Sequence, residues 1–456
     1  MRHFRSLNAQ AWLIFTLLTV CYGLASFFRT SPSTLAVDIM RDFSVGGGLM
    51  AVMSSAFFYP YAFMQIPAGI LSDRWGPRNT ICLFLLLGAA GALIFAGAHS
   101  VGMAALGRML IGAGMAMVFV PALRVILYWF PPRLHALGTG LLLSLGTGGM
   151  LLATWPLMML SQIMGWRGSM LAAAALTVFM SAVVWRVVRN RPEEKGFTPS
   201  WAASDDGPSV PPLKQTMLGI LKTRTYWTVS IWFFCMYGAF FSLSGLWAGP
   251  YFIQGYGLDK SAAGGVLFCL ALGSTLGPTL IGFLTPWLRL PKRGLLLVAC
   301  SATLLLGFPL LLPRPVIPAA LLPLWGVAFG IFCGGFGGIA LTRIQDDFPP
   351  EIVGTATGMI NIYTYLGSAL LQLASGWIME AQAPGAGAYT LPQYSRMFIL
   401  YMFMFCCAFA ASLFHGSYPS KPTPRNASPI PDASMSRRYS RRSQHLHLRA
   451  TLCPQM

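Results

Sequence analysis

The chain is expected to fold as an all-α integral membrane protein, with twelve transmembrane helices in two six-helix pseudo-symmetric halves. Three observations predict this. Of 456 residues, 55% are hydrophobic and only 10% charged, and the mean hydropathy is +0.62, whereas a soluble chain carries about 25% charged residues. Apolar runs of membrane-spanning length recur, and backbone that crosses hydrocarbon must satisfy its own hydrogen bonds, so each run reads as a helix. The sequence also repeats at one offset: Phe130-Pro-Pro and Thr139-Gly140 return as Phe348-Pro-Pro and Thr357-Gly358, 218 residues later. The same offset sets Ser26 on Ser244, Pro32 on Pro250, Arg29 opposite Trp247 and Arg108 opposite Gly326, which supports two related halves.

Taken in order, the candidate spans are 10–36, 49–71, 79–98, 101–129, 136–158 and 165–188, then 226–253, 261–286, 294–312, 316–344, 353–380 and 394–415. An even count puts both termini on one side. Turns on that side carry Arg74, Arg78, Arg133, Arg186, Arg189, Arg191, Lys195, Lys292 and Arg293, while the opposite turns offer little beyond Arg41, Arg167, Lys260 and Arg314. The positive-inside rule therefore places both termini in the cytoplasm of a bacterial-type inner membrane. Residues 1–188 form the N-terminal half and 226–415 the C-terminal half, joined by a polar cytoplasmic linker over 189–225. Residues 416–456, rich in Pro, Ser and Arg, read as a disordered basic cytoplasmic tail.

The net charge of +18 is thereby topology, and no nucleic-acid partner is expected. Nine Cys show no metal-ligand spacing and six His are dispersed, so the residues point to no metal, no cofactor and no enzyme.

The turn between spans 2 and 3 reads Gly69-Ile-Leu-Ser-Asp-Arg-Trp-Gly-Pro-Arg78. Gly76 and Pro77 supply the turn, and Asp73, Arg74 and Arg78 belong at the water interface. The spacing Gly-x-Leu-x-Asp-Arg-x-Gly-x-Arg resembles the loop between helices 2 and 3 of the major facilitator superfamily of transporters. That resemblance implies the major facilitator fold and alternating access around a site between the halves. In the family this loop latches the halves on the cytoplasmic face, which implies a gating role for Asp73, Arg74 and Arg78.

Arg29 follows the apolar run Trp12–Phe28. A cation inside a membrane costs about 2.5–3.5 kcal/mol on insertion scales and by default marks a function. Alternatively the span ends near it and Arg29 snorkels to the interface. Pro32 just beyond would loosen the helix.

Phe28-Arg29, Ser55-Ala-Phe57 and Tyr61 with Gln65-Ile-Pro67 resemble the anion:cation symporter group, whose members carry sugar acids, other carboxylates and inorganic anions. By that similarity Arg29 is the anion partner, and Tyr61 and Gln65 line its pocket. The likeness continues through Gly107-Arg108, Gly112, Gly114, Arg124 and Trp129-Phe-Pro131, implying coupling or gating roles for Arg108 and Arg124. An outer-interface anchor is the other reading of Arg108.

The sequence departs from that group where a helix-4 carboxylate is common, since the neighbourhood reads Met115-Ala-Met117. Exchange or facilitated diffusion would need no such group.

In the second half, Tyr237 and Trp247 of span 7 and Asn361 and Tyr365 of span 11 are the substrate-binding candidates, with Gln372 further along span 11. One cation among aromatic hydroxyls suits a small organic monoanion or a zwitterion better than a phosphate ester. The expected partners are a small-molecule substrate, with a coupling proton or counter-anion left open, and the lipid bilayer, for a monomeric chain. Export of amphipathic compounds or metallophores, and uniport of dipeptides or other zwitterions, are the alternatives.

Overall fold

Long apolar runs can close their backbone hydrogen bonds only locally, and in the computed structural model every regular element among the described residues is helical. The structure describes residues 2–197, 213–288, 290–385 and 387–414. The basic tail over 416–456 and the central part of the expected linker, 198–212, lie outside them, so those two readings stand as made.

Nine helical stretches among the described residues are long and apolar enough to cross a membrane. Two of these, Gly47–Ala96 and Pro132–Val187, run to 50 and 56 residues, far beyond the roughly 20 that one crossing needs. Each is interrupted where the sequence places a turn. Gly76 has φ 77° and Gly165 has φ 73°, left-handed values at which a side chain is disfavoured. The helix Pro350–Gln382 covers the eleventh expected span. Helix lengths and breaks thus agree with the twelve-span expectation.

Span 1 is longer than its apolar run suggests, reaching from Arg2 to Phe43 with Pro32 inside the helix. Proline has no N–H for the carbonyl four residues earlier, and that carbonyl belongs to Phe28. The vacancy is filled from elsewhere: Arg108 Nη1 donates to the Phe28 oxygen at 2.6 Å, and Ser31 Oγ donates to it at 3.2 Å. The polar helix interruption and the fourth-span arginine are therefore one structural unit.

Other spans are also uneven. Span 7, Arg224–Gly255, contains three widened π turns, Phe233–Tyr237, Leu243–Trp247 and Tyr251–Gly255. Such turns are rare and recur at functional sites. Span 10 breaks between Gly334 and Gly337.

The two ends of the bundle differ. Trp12 packs on Phe130, Gln10 reaches Val187, and Arg224 lies over Phe414, so the described starts and ends of several spans gather at the end carrying the termini. At the distal end the two sequence halves meet through polar contacts. Lys260 Nζ binds both oxygens of Asp38 at 2.6 and 2.7 Å. Tyr389 Oη accepts the Gly47 N–H at 2.6 Å, Glu380 accepts the Gly48 N–H at 3.1 Å, and Ser33 Oγ accepts the Gly249 N–H at 3.0 Å.

Candidate functional site

Near the middle of span 1, Arg29 is 3% exposed. Its guanidinium lies 4.3 Å from the centre of the Phe241 ring on span 7. Nη2 makes one long hydrogen bond to Ser26 Oγ at 3.5 Å, and Nε has no partner. No carboxylate pairs with it among the described residues. The side chain is thus enclosed by neighbouring helices. A guanidinium offers five donors in a planar fork suited to a carboxylate or sulfonate, and here the Nε donor is unspent.

Aromatic hydroxyls surround this cation. Tyr22, seven residues before Arg29 and so on the same helical face, lies within its electrostatic reach, as does Tyr61 of span 2. Tyr61 is 1% exposed and its ring centre is 4.3 Å from that of Tyr365 on span 11. Phe57 stacks on Tyr61 at 5.3 Å. Tyr22 was not singled out from the sequence, although its spacing from Arg29 carried the signal.

Span 11 presents a polar stripe. Asn361, Tyr365, Ser368 and Gln372 follow one another at intervals of four, three and four, which is one face of an α-helix. Tyr365 is 7% exposed and Asn361 is half-buried. Gln65, on span 2, is 9% exposed and turns back to donate to the Tyr61 carbonyl at 3.3 Å.

Two candidates have their polar atoms engaged by the protein. Tyr237 Oη donates to the Gly334 carbonyl at 2.6 Å and accepts from the Gly337 N–H at 3.1 Å, stapling the break in span 10. Trp247 Nε1 donates to Ser375 Oγ at 2.8 Å, within a network that continues to Tyr401 and Ser242. These contacts brace the second half.

Arg108 is 1% exposed and is enclosed by the protein as Arg29 is. Besides its bond to the Phe28 carbonyl, it lies 4.8 Å from the Phe57 ring centre, and its Nε and Nη2 are unpartnered. A second buried positive charge thus stands one residue of backbone from Arg29.

The charged turn at Gly76 is arranged around span ends. Asp73 forms an ion pair with Arg124 of span 4, whose Nε also donates to Tyr128 Oη at 3.3 Å. Arg78 donates from Nε to the Trp185 carbonyl at 2.9 Å, lies over the Trp185 ring at 4.1 Å, and its N–H is accepted by Asn190 Oδ1 at 2.9 Å. Arg74 is exposed. The contacts just named run to the first half and to Asn190 at the start of the linker.

At the distal end an open vestibule of about 560 Å³ is lined by Asp38, Arg41, Asp42, Trp166, Arg167 and Lys260, among others. Both of its carboxylates are paired, Asp38 with Lys260 and Asp42 with Arg167, and Asp42 also accepts from Trp166 Nε1 at 3.1 Å. Tyr389, in the loop before the last span, has its phenol pushed up by burial, opposed by the Gly47 amide it accepts.

Comparison with known proteins places these features in context. The family model described as Major Facilitator Superfamily matches residues 18–372. The probable sulfoacetate transporter SauU of Cupriavidus necator is 22% identical over 391 residues, spanning 83% of this chain and 89% of the relative. The hexuronate transporter of Escherichia coli K12 is 24% identical over 397 residues, spanning 82% and 89% respectively. Among solved structures, a bacterial homologue of the human lysosomal transporter Spinster, inward-facing and unoccupied, superimposes with a TM-score of 0.68 at 18% identity, covering 89% of this chain and 97% of that one. The nucleoside transporter NupG gives 0.68 at 16% identity, covering 89% and 100%.

Proposed function

The chain belongs to the major facilitator superfamily, a family of transporters rather than enzymes, and on that premise we propose that it carries a small organic anion across the cell membrane by alternating access. The observation that carries the reading is Arg29, a guanidinium 3% exposed with an unpartnered Nε and no carboxylate against it among the described residues. A buried charge left unpaired is strongly unfavourable unless something arrives to pair it. The relatives named for sulfoacetate and hexuronate carry anionic substrates, which fits a cation waiting at the centre of the bundle.

Tyr61, with Tyr365 against its ring, supplies an uncharged hydrogen-bonding group near that cation, and Arg108 adds to the positive potential. A zwitterion would bring an ammonium group for which this centre holds no carboxylate among the described residues, so an anion is the better fit. Polar contacts between the halves gather at the distal end, through Asp38–Lys260 and the Tyr389 and Glu380 contacts to Gly47 and Gly48. This supports an inward-facing state, with the distal end on the outer side and both termini in the cytoplasm. In that state the Asp73 turn binds its own half and is free to engage the other when the cycle reverses. Proton symport through a neighbouring carboxylate has no support here, and exchange or facilitated diffusion fits the centre better.

Uptake into proteoliposomes tests the reading. Sugar acids, hydroxy-sulfonates, dicarboxylates, dipeptides and hydrophobic cations would be offered as competitors for one labelled sugar acid. Competition confined to anions is expected. Transport of dipeptides or hydrophobic cations that is indifferent to added anions would overturn the proposal.

A further inference from the structure

The open distal vestibule of about 560 Å³ is a charged space that the central site leaves unused. Its volume falls in the range of small-molecule sites. Arg41, Arg167 and Lys260 line it against Asp38 and Asp42, three cations to two carboxylates, so one positive charge is in excess. Asp42 is engaged by Arg167 and Trp166 Nε1, and Arg167 is pinned further by the Ala98 carbonyl and the Trp166 ring. Lys260 is less committed. It gives two of its three N–H donors to the Asp38 oxygens, and the third has no partner among the described residues. Arg41, in the last turn of the helix Arg2–Phe43, is exposed and left out of both ion pairs. Its guanidinium has no partner among the described residues. Asp38 and Arg41 are three residues apart and neighbours on one helical face, so the spare donors of Arg41 and Lys260 border the same carboxylate.

We propose that this vestibule is a docking site for small carboxylate or sulfonate anions, held by Arg41 and the free N–H of Lys260 before they reach the centre. The site is defined by the vestibule alone, while its purpose, feeding Arg29, rests on the anion reading above. Water reaches both cations, so each contact is weak. Weak capture suits a first stop, because a positively charged cleft raises the local anion concentration and the association rate without trapping the ion. Docking also acts on the closure of this end. Lys260 and Asp38 join the second half to the first, and a docked carboxylate offers Lys260 the same chemistry that Asp38 does. Asp38 then retains Arg41, on its own helix, as a shared partner. Arrival of an anion thus loosens one of the contacts that hold the distal end together.

The test is arginine modification by phenylglyoxal in the full chain, held in phosphatidylcholine nanodiscs at low salt. Mass spectrometry follows the rate at Arg41 and at Arg314, an exposed arginine in the turn between spans 9 and 10. Gluconate and isethionate are the anion probes, and glucose is the uncharged control. Either anion is expected to slow modification of Arg41 by about threefold and to leave Arg314 unchanged, while glucose alters neither. The protection should persist in Arg29→Gln, weaken in Lys260→Gln and strengthen in Asp38→Asn, which frees the Lys260 ammonium.

Equal slowing at Arg41 and Arg314, or none at Arg41, would overturn the docking site. So would protection indifferent to both Lys260→Gln and Asp38→Asn. Protection conferred only when phosphatidylglycerol replaces part of the lipid would make Arg41 a headgroup anchor and overturn it as well. Protection lost in Arg29→Gln would assign the effect to the centre and remove this inference while the anion reading stands. Protection that persists in Arg29→Gln, in a protein that transports no anion, would leave the vestibule standing and remove the anion reading.

Discussion

The cations at the distal end and those in the middle of this bundle are handled in opposite ways. At the distal end Arg167 has Asp42 and Lys260 has Asp38. Arg167 adds the Ala98 carbonyl at 2.9 Å and the faces of Trp166 and Phe43. In the middle, Arg29 and Arg108 are at most 3% exposed, rest on Phe241 and Phe57, and keep donors unpartnered. Water is available at the end, where pairing is cheap and contributes little, about 0–1 kcal/mol for an exposed pair. In the middle, an unmet charge is costly and a partner is most needed. These end cations are thus spent on holding helices together, while the central ones keep donors unspent, as the proposed anion site requires.

Substitutions that exchange the two kinds of cation for neutral residues should separate accordingly. The largest effect is expected for Arg29→Gln, which should lower uptake of an anionic substrate in proteoliposomes by about a hundredfold or more, as when one partner of a buried charge pair is removed. Wild-type uptake in that variant would break the comparison. Arg108→Gln removes the donor from the Phe28 carbonyl and should both destabilise the protein and reduce uptake by about tenfold, measured as Tm and initial rate.

Asp73→Asn should slow transport while leaving ligand affinity within about threefold. Loss of binding in a folded variant would place Asp73 at the site instead of at the gate. Lys260→Gln loosens the distal contact, a part-buried pair, and should shift the two-state balance toward the outward form by about fivefold. Labelling rates of single cysteines introduced at the distal end would report that shift. Arg167→Gln is expected to do least, with uptake unchanged within about twofold.

Much of the fold was legible because hydrocarbon allows so few backbone solutions. Run lengths gave the spans, and Gly76 and the stretch around Gly165 fell where apolar runs broke. The reach of span 1 was not legible from its apolar run, since it depends on Arg108 bonding the carbonyl that Pro32 leaves open, a contact 80 residues away. At the candidate site, Arg29 stood out by its charge, Tyr61 through the family resemblance and Tyr365 by its place in span 11, and the structure brings them together. Tyr237 and Trp247 looked equivalent to them in sequence. Their donors go to Gly334 and Ser375, and helix rotation of that kind is not encoded in spacing alone. Gln372 was visible as one residue in a polar stripe, but its lack of partners could be seen only once neighbouring spans were packed around it.

The most direct test compares the same chemical change at the two places. Arg29→Gln and Arg167→Gln each remove one positive charge, and the measurement is the Tm shift produced by a saturating anionic ligand in each purified variant, since a ligand bound only by the folded state raises apparent stability by mass action. The account predicts that the shift disappears in Arg29→Gln and persists in Arg167→Gln. A shift that survives the loss of Arg29, or that is lost with Arg167, would contradict it.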